Sequence, residues 1–231
     1  MSQFVIPHDK KAGCLMRKSR VGETCSLFGE RIEVLPPDEI KRVIAARKAA
    51  GIRTRAIVEE ILDQDGVGSC ATESTTQGGM TTRKLQNLPY VKLNPWFLYY
   101  HSSGGVDRGS SIDENMQLAR DIGIASEAVW PRSKGWRTKP SQAAYADALN
   151  YRLPEYYEVL SKPEAQTALV KDFLLVFGHD SHSELMIDLL TMEDADVANS
   201  WAVTWGDKGF HVFPMDRINY GYACFAIRTA T

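Results

Sequence analysis

The sequence predicts an α+β protein built as two lobes. Three observations carry that expectation. Helical periodicity dominates before about residue 150, and short apolar segments divided by turn residues dominate after it. The 231 residues, 44% hydrophobic and 24% charged, supply a sizeable core without disulfide or metal staples. The expected organisation is an N-terminal arm over 1–50, a helical lobe over 51–150 and a strand-rich lobe over 151–231, with a cleft between the lobes.

Residues 1–35 are polar and irregular. From Pro36 to Ala50 a helix is expected: prolines open it, Asp38 and Glu39 occupy its first turn, and Ile40, Val43 and Ile44 share a face. Arg47 and Lys48 favour its C-terminal end and Gly51 stops it. Asp65-Gly66-Val67-Gly68 reads as a turn, followed by a helix that begins near Ser69, with Ser69 as its N-cap. That helix is poor in large apolar residues, which suits an element lying in a cleft with an accessible first turn. Ser111-Ile112-Asp113-Glu114 reads as a capping box, with Ile112, Met116 and Ala119 inward and Gly123 as terminator. A further helix is expected from Ser141 to Leu149. Strands follow at Glu155–Val159, Phe173–Phe177, Leu185–Leu189, Asp196–Ala198 and Gly209–Phe213.

A net charge of −2, made of interspersed rather than clustered charges, gives no electrostatic reason to expect nucleic acid or an anionic membrane as partner. The first ten residues contain no signal-peptide core, and no apolar run approaches a membrane span, so a soluble cytoplasmic protein is expected. Cys14, Cys25, Cys70 and Cys224 lack the close pairing of zinc ligands, so neither metal nor other cofactor is expected. All four are expected to be reduced.

Gln64-Asp65-Gly66-Val67-Gly68-Ser69-Cys70 places a side-chain amide six residues before a cysteine at a helix start. A helix N-terminus and a nearby imidazole both favour the thiolate, which is the nucleophilic form. The amide of Gln64 and the Cys70 backbone N–H could then receive an oxyanion. The second segment is more specific: Asn199-Ser200-Trp201, then Trp205-Gly206, then Gly209-Phe210.

Together these segments resemble the papain-like cysteine peptidases, in texture the bacterial and phage-type members. The resemblance runs from about Arg55 to Phe213 and includes Leu93–Tyr100 and Ile124–Pro131. It implies the two-lobe papain-like fold, with helical and β-barrel-like lobes. It implies Cys70 as nucleophile, His182 as base, Asn199 as the residue orienting that base, and Gln64 as oxyanion donor. Trp201 would shield the His–Asn bond, and Trp205, Gly109 and Ser110 would line the substrate cleft, the last two by β-type pairing. His182 lies 17 residues before Asn199. The Cys70-to-His182 interval falls short of the roughly 130–150 residues usual in the family. The shortening falls at Gly178-His179-Asp180-Ser181, a tight turn that makes His179 the competing base.

Three positions depart from the family pattern. Ala71 replaces an aromatic residue, Val67 replaces a disulfide cysteine, and Glu184 stands where an apolar residue is expected and, once buried, needs a partner. The resemblance implies an endopeptidase acting on peptide or protein through an acyl-enzyme, and the same residues suit a transpeptidase or amidase. The alternative from another class is an inactive papain-like protein with a binding or assembly role. Assembly contacts through the arm and an association with virions are left open by the sequence.

Overall fold

The computed structural model describes residue 6, residues 10–153 and residues 155–228. The chain begins with β1 (Cys14–Leu15), α1 (Phe28–Arg31) and α2 (Pro37–Ala49). It continues through α3 (Cys70–Leu85), α4 (Pro95–Ser103), β2 (Ser110–Ser111), α5 (Ile112–Asp121) and α6 (Gln142–Ala148). Then come β3 (Glu155–Glu158), α7 (Lys162–Val170), β4 (Leu174–His179) and β5 (His182–Leu189). β6 (Asp194–Ala198), β7 (Phe210–Pro214) and β8 (Cys224–Arg228) follow.

The helix expected at Pro36–Ala50 is α2, and five of the strands stand where the turn signals divide them. Alternation of the expected kind does not reveal α4, α7 or β8. The first two open on a proline inside the first turn, capped by the side chains of Asn94 and Ser161. Two caps differ from expectation. Ser69 and Ser111 occupy the N-cap positions without a side-chain capping bond, and the Ser69 hydroxyl donates instead to Glu73 Oε1 at 3.0 Å.

Six strands form an antiparallel sheet in the order β3-β8-β4-β5-β6-β7. The sheet is open, with β3 and β7 at its edges, so the barrel implied by the resemblance is an unclosed one. One apolar cluster joins α2 and α7 to the sheet, with Phe28 edge-on to Phe173 at 5.6 Å. Residues 28–49 therefore pack into the strand-side core. A second cluster lies among α3, α4, α5 and α6, around Met80, Phe97, Leu98 and Trp130. A third fills the space between α3 and the sheet, and includes Cys70, Ala71, Leu185 and Ile227.

The small residues of α3 have a cause other than accessibility. Every residue from Cys70 to Thr82 is buried, because the helix lies between its helical neighbours and the sheet. A Cβ at Gly78 would stand 2.3 Å from Ile227 Cδ1. Small side chains let helix and sheet approach, and the first turn is covered rather than open. Ser74 and Ser183 hydroxyls meet at 2.7 Å across this interface.

β4 and β5 form a hairpin whose loop is only Asp180-Ser181, with His179 paired to His182. Both loop residues have positive φ, 42° and 62°, as a two-residue turn that follows the strand twist requires. This turn lies where the sequence reads the shortening between Cys70 and His182, and it starts β5 at His182.

Candidate active site

Cys70 is the first residue of α3, so its backbone N–H belongs to the free end of a helix. Its thiol is buried and is held by the backbone of Ser183, Gly13 and Ala71. Burial outweighs those bonds and pushes the thiol up to about 12. His182 Nε2 donates to Asn199 Oδ1 at 2.8 Å. The indole of Trp201 stacks on the imidazole, centroids 4.5 Å apart at 26°. Burial lowers His182 to about 4, against Glu184 and the Asn199 bond, which both favour the protonated ring. With the site closed as described, burial thus disfavours the charged form of both groups.

Gln64 is fixed from the strand side. Its Oε1 accepts from Ser200 Oγ and from Trp201 Nε1, both at 3.0 Å. Backbone bonds from Gln64 N to Ser200 O and from Ala202 N to Leu62 O join the same two segments. The three residues of the Asn-Ser-Trp triplet thus serve two groups: Asn199 holds the imidazole, while Ser200 and Trp201 aim the glutamine amide. Trp201 is fully buried and acts inside the site, not on its surface. Trp205 is half-buried and meets Trp201 edge-on at 5.2 Å.

The arm crosses this site. Gln64 Nε2 donates to Val67 O at 2.7 Å and to Lys11 O at 2.6 Å. Gly13 O accepts from Ser110 N at 2.9 Å, β1 pairs in parallel with β2, and Cys14 N donates to Ser181 O at 2.9 Å. Of the expected pair, Ser110 thus forms β-type pairing with the chain's own arm, joined by Ser111 rather than Gly109, whose N donates to Tyr99 Oη at 3.1 Å. Further along, Asp113 accepts from Lys18 N, Ser19 N and Ser19 Oγ at 3.0, 2.7 and 2.7 Å. Buried Glu158 accepts from Gly22 N at 2.7 Å and pairs with Arg17. All four cysteines are free. Residues 1–5 and 7–9 of the arm lie outside the described residues.

The other buried titratable group on α3 is Glu73. Burial raises its carboxyl to about 7 against the opposing pull of Arg132. Arg132 meets it at 2.8 Å, bonds the carbonyl of Asp63 next to Gln64, and lies over the Trp96 ring at 4.2 Å. The sequence reading missed this clamp, whose partners are 59 residues apart. Arg132→Ala leaves a buried carboxylate without its cation, and should destabilise the fold by about 3–5 kcal/mol at pH 8. A raised native pKa means that stability is lost as pH rises toward and through it. The loss should therefore shrink at pH 6, where Glu73 is protonated. Urea unfolding at the two pH values checks both parts.

The competing base, His179, is engaged elsewhere: its Nε2 meets Glu184 Oε2 at 2.7 Å and its ring stacks on Phe177. Among the described residues no group of three or more His, Cys, Asp or Glu is placed to hold a metal ion, and no helix is long and apolar enough to cross a membrane.

No protein-family profile and no curated sequence matches the chain. Solved structures do. Xylellain, a cysteine protease from Xylella fastidiosa, superposes with a TM-score of 0.67 at 18% identity, covering 99% of this chain and 100% of that one. Digestive procathepsin L 3 of Tenebrio molitor larval midgut gives 0.61 at 19% identity, over 75% and 68% of the two chains. A procathepsin B from Trypanosoma congolense gives 0.56 at 15%, over 80% and 76%. The chain has the papain-like fold.

Proposed function

We propose that this chain is a thiol-dependent endopeptidase that works through an acyl-enzyme on Cys70. The observation that carries the reading is the state of Gln64. Its oxygen is locked by Ser200 and Trp201, and one of its two N–H groups is spent on Val67. The other faces a peptide carbonyl, that of Lys11, which stands in for the carbonyl of a substrate.

In this reading Cys70 gives its thiol proton to His182 and Sγ attacks the scissile carbonyl carbon, and Gln64 with the Cys70 N–H receives the oxyanion. The C–N bond breaks as His182 gives its proton to the leaving amine, leaving a thioester. His182 then takes a proton from water, whose oxygen attacks the thioester; the C–S bond breaks, the acid is released and His182 returns the proton to the sulfur. Asn199 keeps the imidazole in the tautomer and orientation that these steps need. Ser110 pairs with extended substrate as it now pairs with the arm, beside Gly109.

Residues 10–27 then act as a strap across the cleft between a helical and a strand-rich lobe, and it must leave for substrate to enter. An inactive binding protein has no specific observation in its favour, since Cys70, His182, Asn199 and Gln64 are all present.

The test is labelling of the native protein with an epoxide-type thiol probe, with the adduct located by mass spectrometry. The expected result is modification of Cys70 and none of Cys224. If Cys70 stays unmodified in folded protein whose strap has been displaced, yet reacts after unfolding, the peptidase reading fails.

A further inference from the structure

Glu184 is a carboxylate on β5, fully buried where the fold's relatives are expected to carry an apolar side chain. Such a group is costly unless its hydrogen bonds are met. They are met by imidazoles from two other strands: His179 Nε2 of β4 at 2.7 Å on Oε2, and His211 Nε2 of β7 at 3.0 Å on Oε1. An ionised carboxylate only accepts, so both rings donate from Nε2. Burial would raise the carboxyl, but His211 and the bonds from both rings outweigh it and hold Glu184 well below the usual carboxylate range. The charge is therefore fixed, and its Oε1 lies 3.9 Å from His182 Nε2, the nitrogen bonded to Asn199.

We propose that Glu184 is a positioning residue for the catalytic pair. Its carboxylate, clamped by His179 and His211, places a permanent negative charge on the Asn199 side of His182 and favours the imidazolium there. The proposal rests on the peptidase reading of the site. Asn199 offers the ring a neutral acceptor only, and a neutral acceptor in a buried site does little to offset the cost of the ring's charge. Glu184 supplies the missing charge without touching substrate.

The other charged groups around it do not replace it. Asp180 meets His179 Nδ1 at 3.3 Å and is itself paired with Arg217 at 2.6 Å. Glu73 of α3 lines the same small cavity as Glu184, and Arg132 balances it.

The sign follows from position. A negative charge stabilises an imidazolium and destabilises a thiolate, and Glu184 sits beside the imidazole. Its net effect is to favour the thiolate–imidazolium pair over the neutral pair. The rate of Cys70 alkylation by iodoacetamide, followed from pH 5 to 10 on the full chain, separates the two. The ion pair gives a plateau near neutral pH, and the simple thiolate gives a second rise at high pH. The strap is the same in wild type and in the Glu184 variants, so a difference in this ratio between them reports the pair.

In Glu184→Gln that ratio should fall about tenfold, the equivalent of roughly one pH unit for an adjacent charge. Glu184→Asp, which keeps the charge, should retain most of it. A folded Glu184→Gln protein with the wild-type ratio overturns the proposal. If Glu184→Gln does not fold by circular dichroism, His211→Phe removes the clamp on Oε1. It should lower the ratio in the same direction, and an unchanged ratio there also overturns the proposal. Wild-type protein with no plateau at all defeats the peptidase reading itself, and the catalytic use of Glu184 with it.

Discussion

Cys70→Ala is expected to abolish peptide hydrolysis, a loss on the order of 10⁶ in turnover, and Gln64→Ala to lower it by about 10²–10³. Both are read against a broad peptide library by mass spectrometry, with the cleavage rate of the best peptide compared between variants. Loss of the thiol removes the only route to a thioester. Loss of the glutamine removes one oxyanion donor but leaves the Cys70 N–H, so residual turnover should persist. The structure adds a second consequence for Gln64. Its Oε1 is the acceptor for both Ser200 Oγ and Trp201 Nε1, so truncation orphans two buried donors, at about 1–3 kcal/mol each. Trp201 stacks on His182, and loosening the indole loosens the base. Turnover should fall far more than substrate affinity, because the lost contact forms with the oxyanion and not with the resting carbonyl. Equal turnover in wild type and Gln64→Ala would remove Gln64 from the mechanism.

The parts of this site that were legible in the sequence share a property. Cys70 with Gln64, and Asn199-Ser200-Trp201, are short runs of rare residue types at fixed offsets, each carried by one element boundary. The helices α2, α5 and α6 were legible for a similar reason, since their periodicity or caps are local. What escaped depends on contacts between distant segments. The arm's crossing of the site rests on backbone atoms of Lys11, Gly13 and Cys14, which leave no trace in side-chain pattern. The scarcity of large apolar residues in α3 points to an open first turn, and nothing in the side-chain pattern shows the arm that covers it. Glu184 was visible as an anomaly, but its partners sit on β4 and β7, and His211 is 27 residues away. Ala71 also gains its meaning from packing, inside the cluster that joins α3 to the sheet.

Gly13→Ala should do the reverse of the first two substitutions and open the site. Gly13 lies where arm, nucleophile loop and β2 converge. A Cβ there would stand 2.1 Å from the Gly68 carbonyl oxygen, and one at Gly109 would stand 2.2 Å from Gly13 O. Both obstacles are backbone, so no side-chain rotation relieves them. Overpacking of this kind costs about 1–3 kcal/mol, and the cost falls on the seated strap rather than on the core, because the strap is the part that can leave. The open population, and with it the rate of Cys70 labelling at neutral pH, should rise about 10–100-fold. The gain has a second source beyond access. In the closed site burial raises the thiol and lowers the imidazole, which disfavours charge on both. Removing Gly13 readmits water to the thiol and shifts the pair toward thiolate and imidazolium. Gly13→Ala should therefore show a larger gain at neutral pH than at pH 10, where the thiolate no longer depends on the imidazole. Asp113→Asn, which weakens the strap at Lys18 and Ser19 without entering the site, should raise labelling by a similar factor at both pH values. If Gly13→Ala labels no faster than wild type while remaining folded, the strap does not control the nucleophile, and its pairing with Ser110 and Gln64 is only structural.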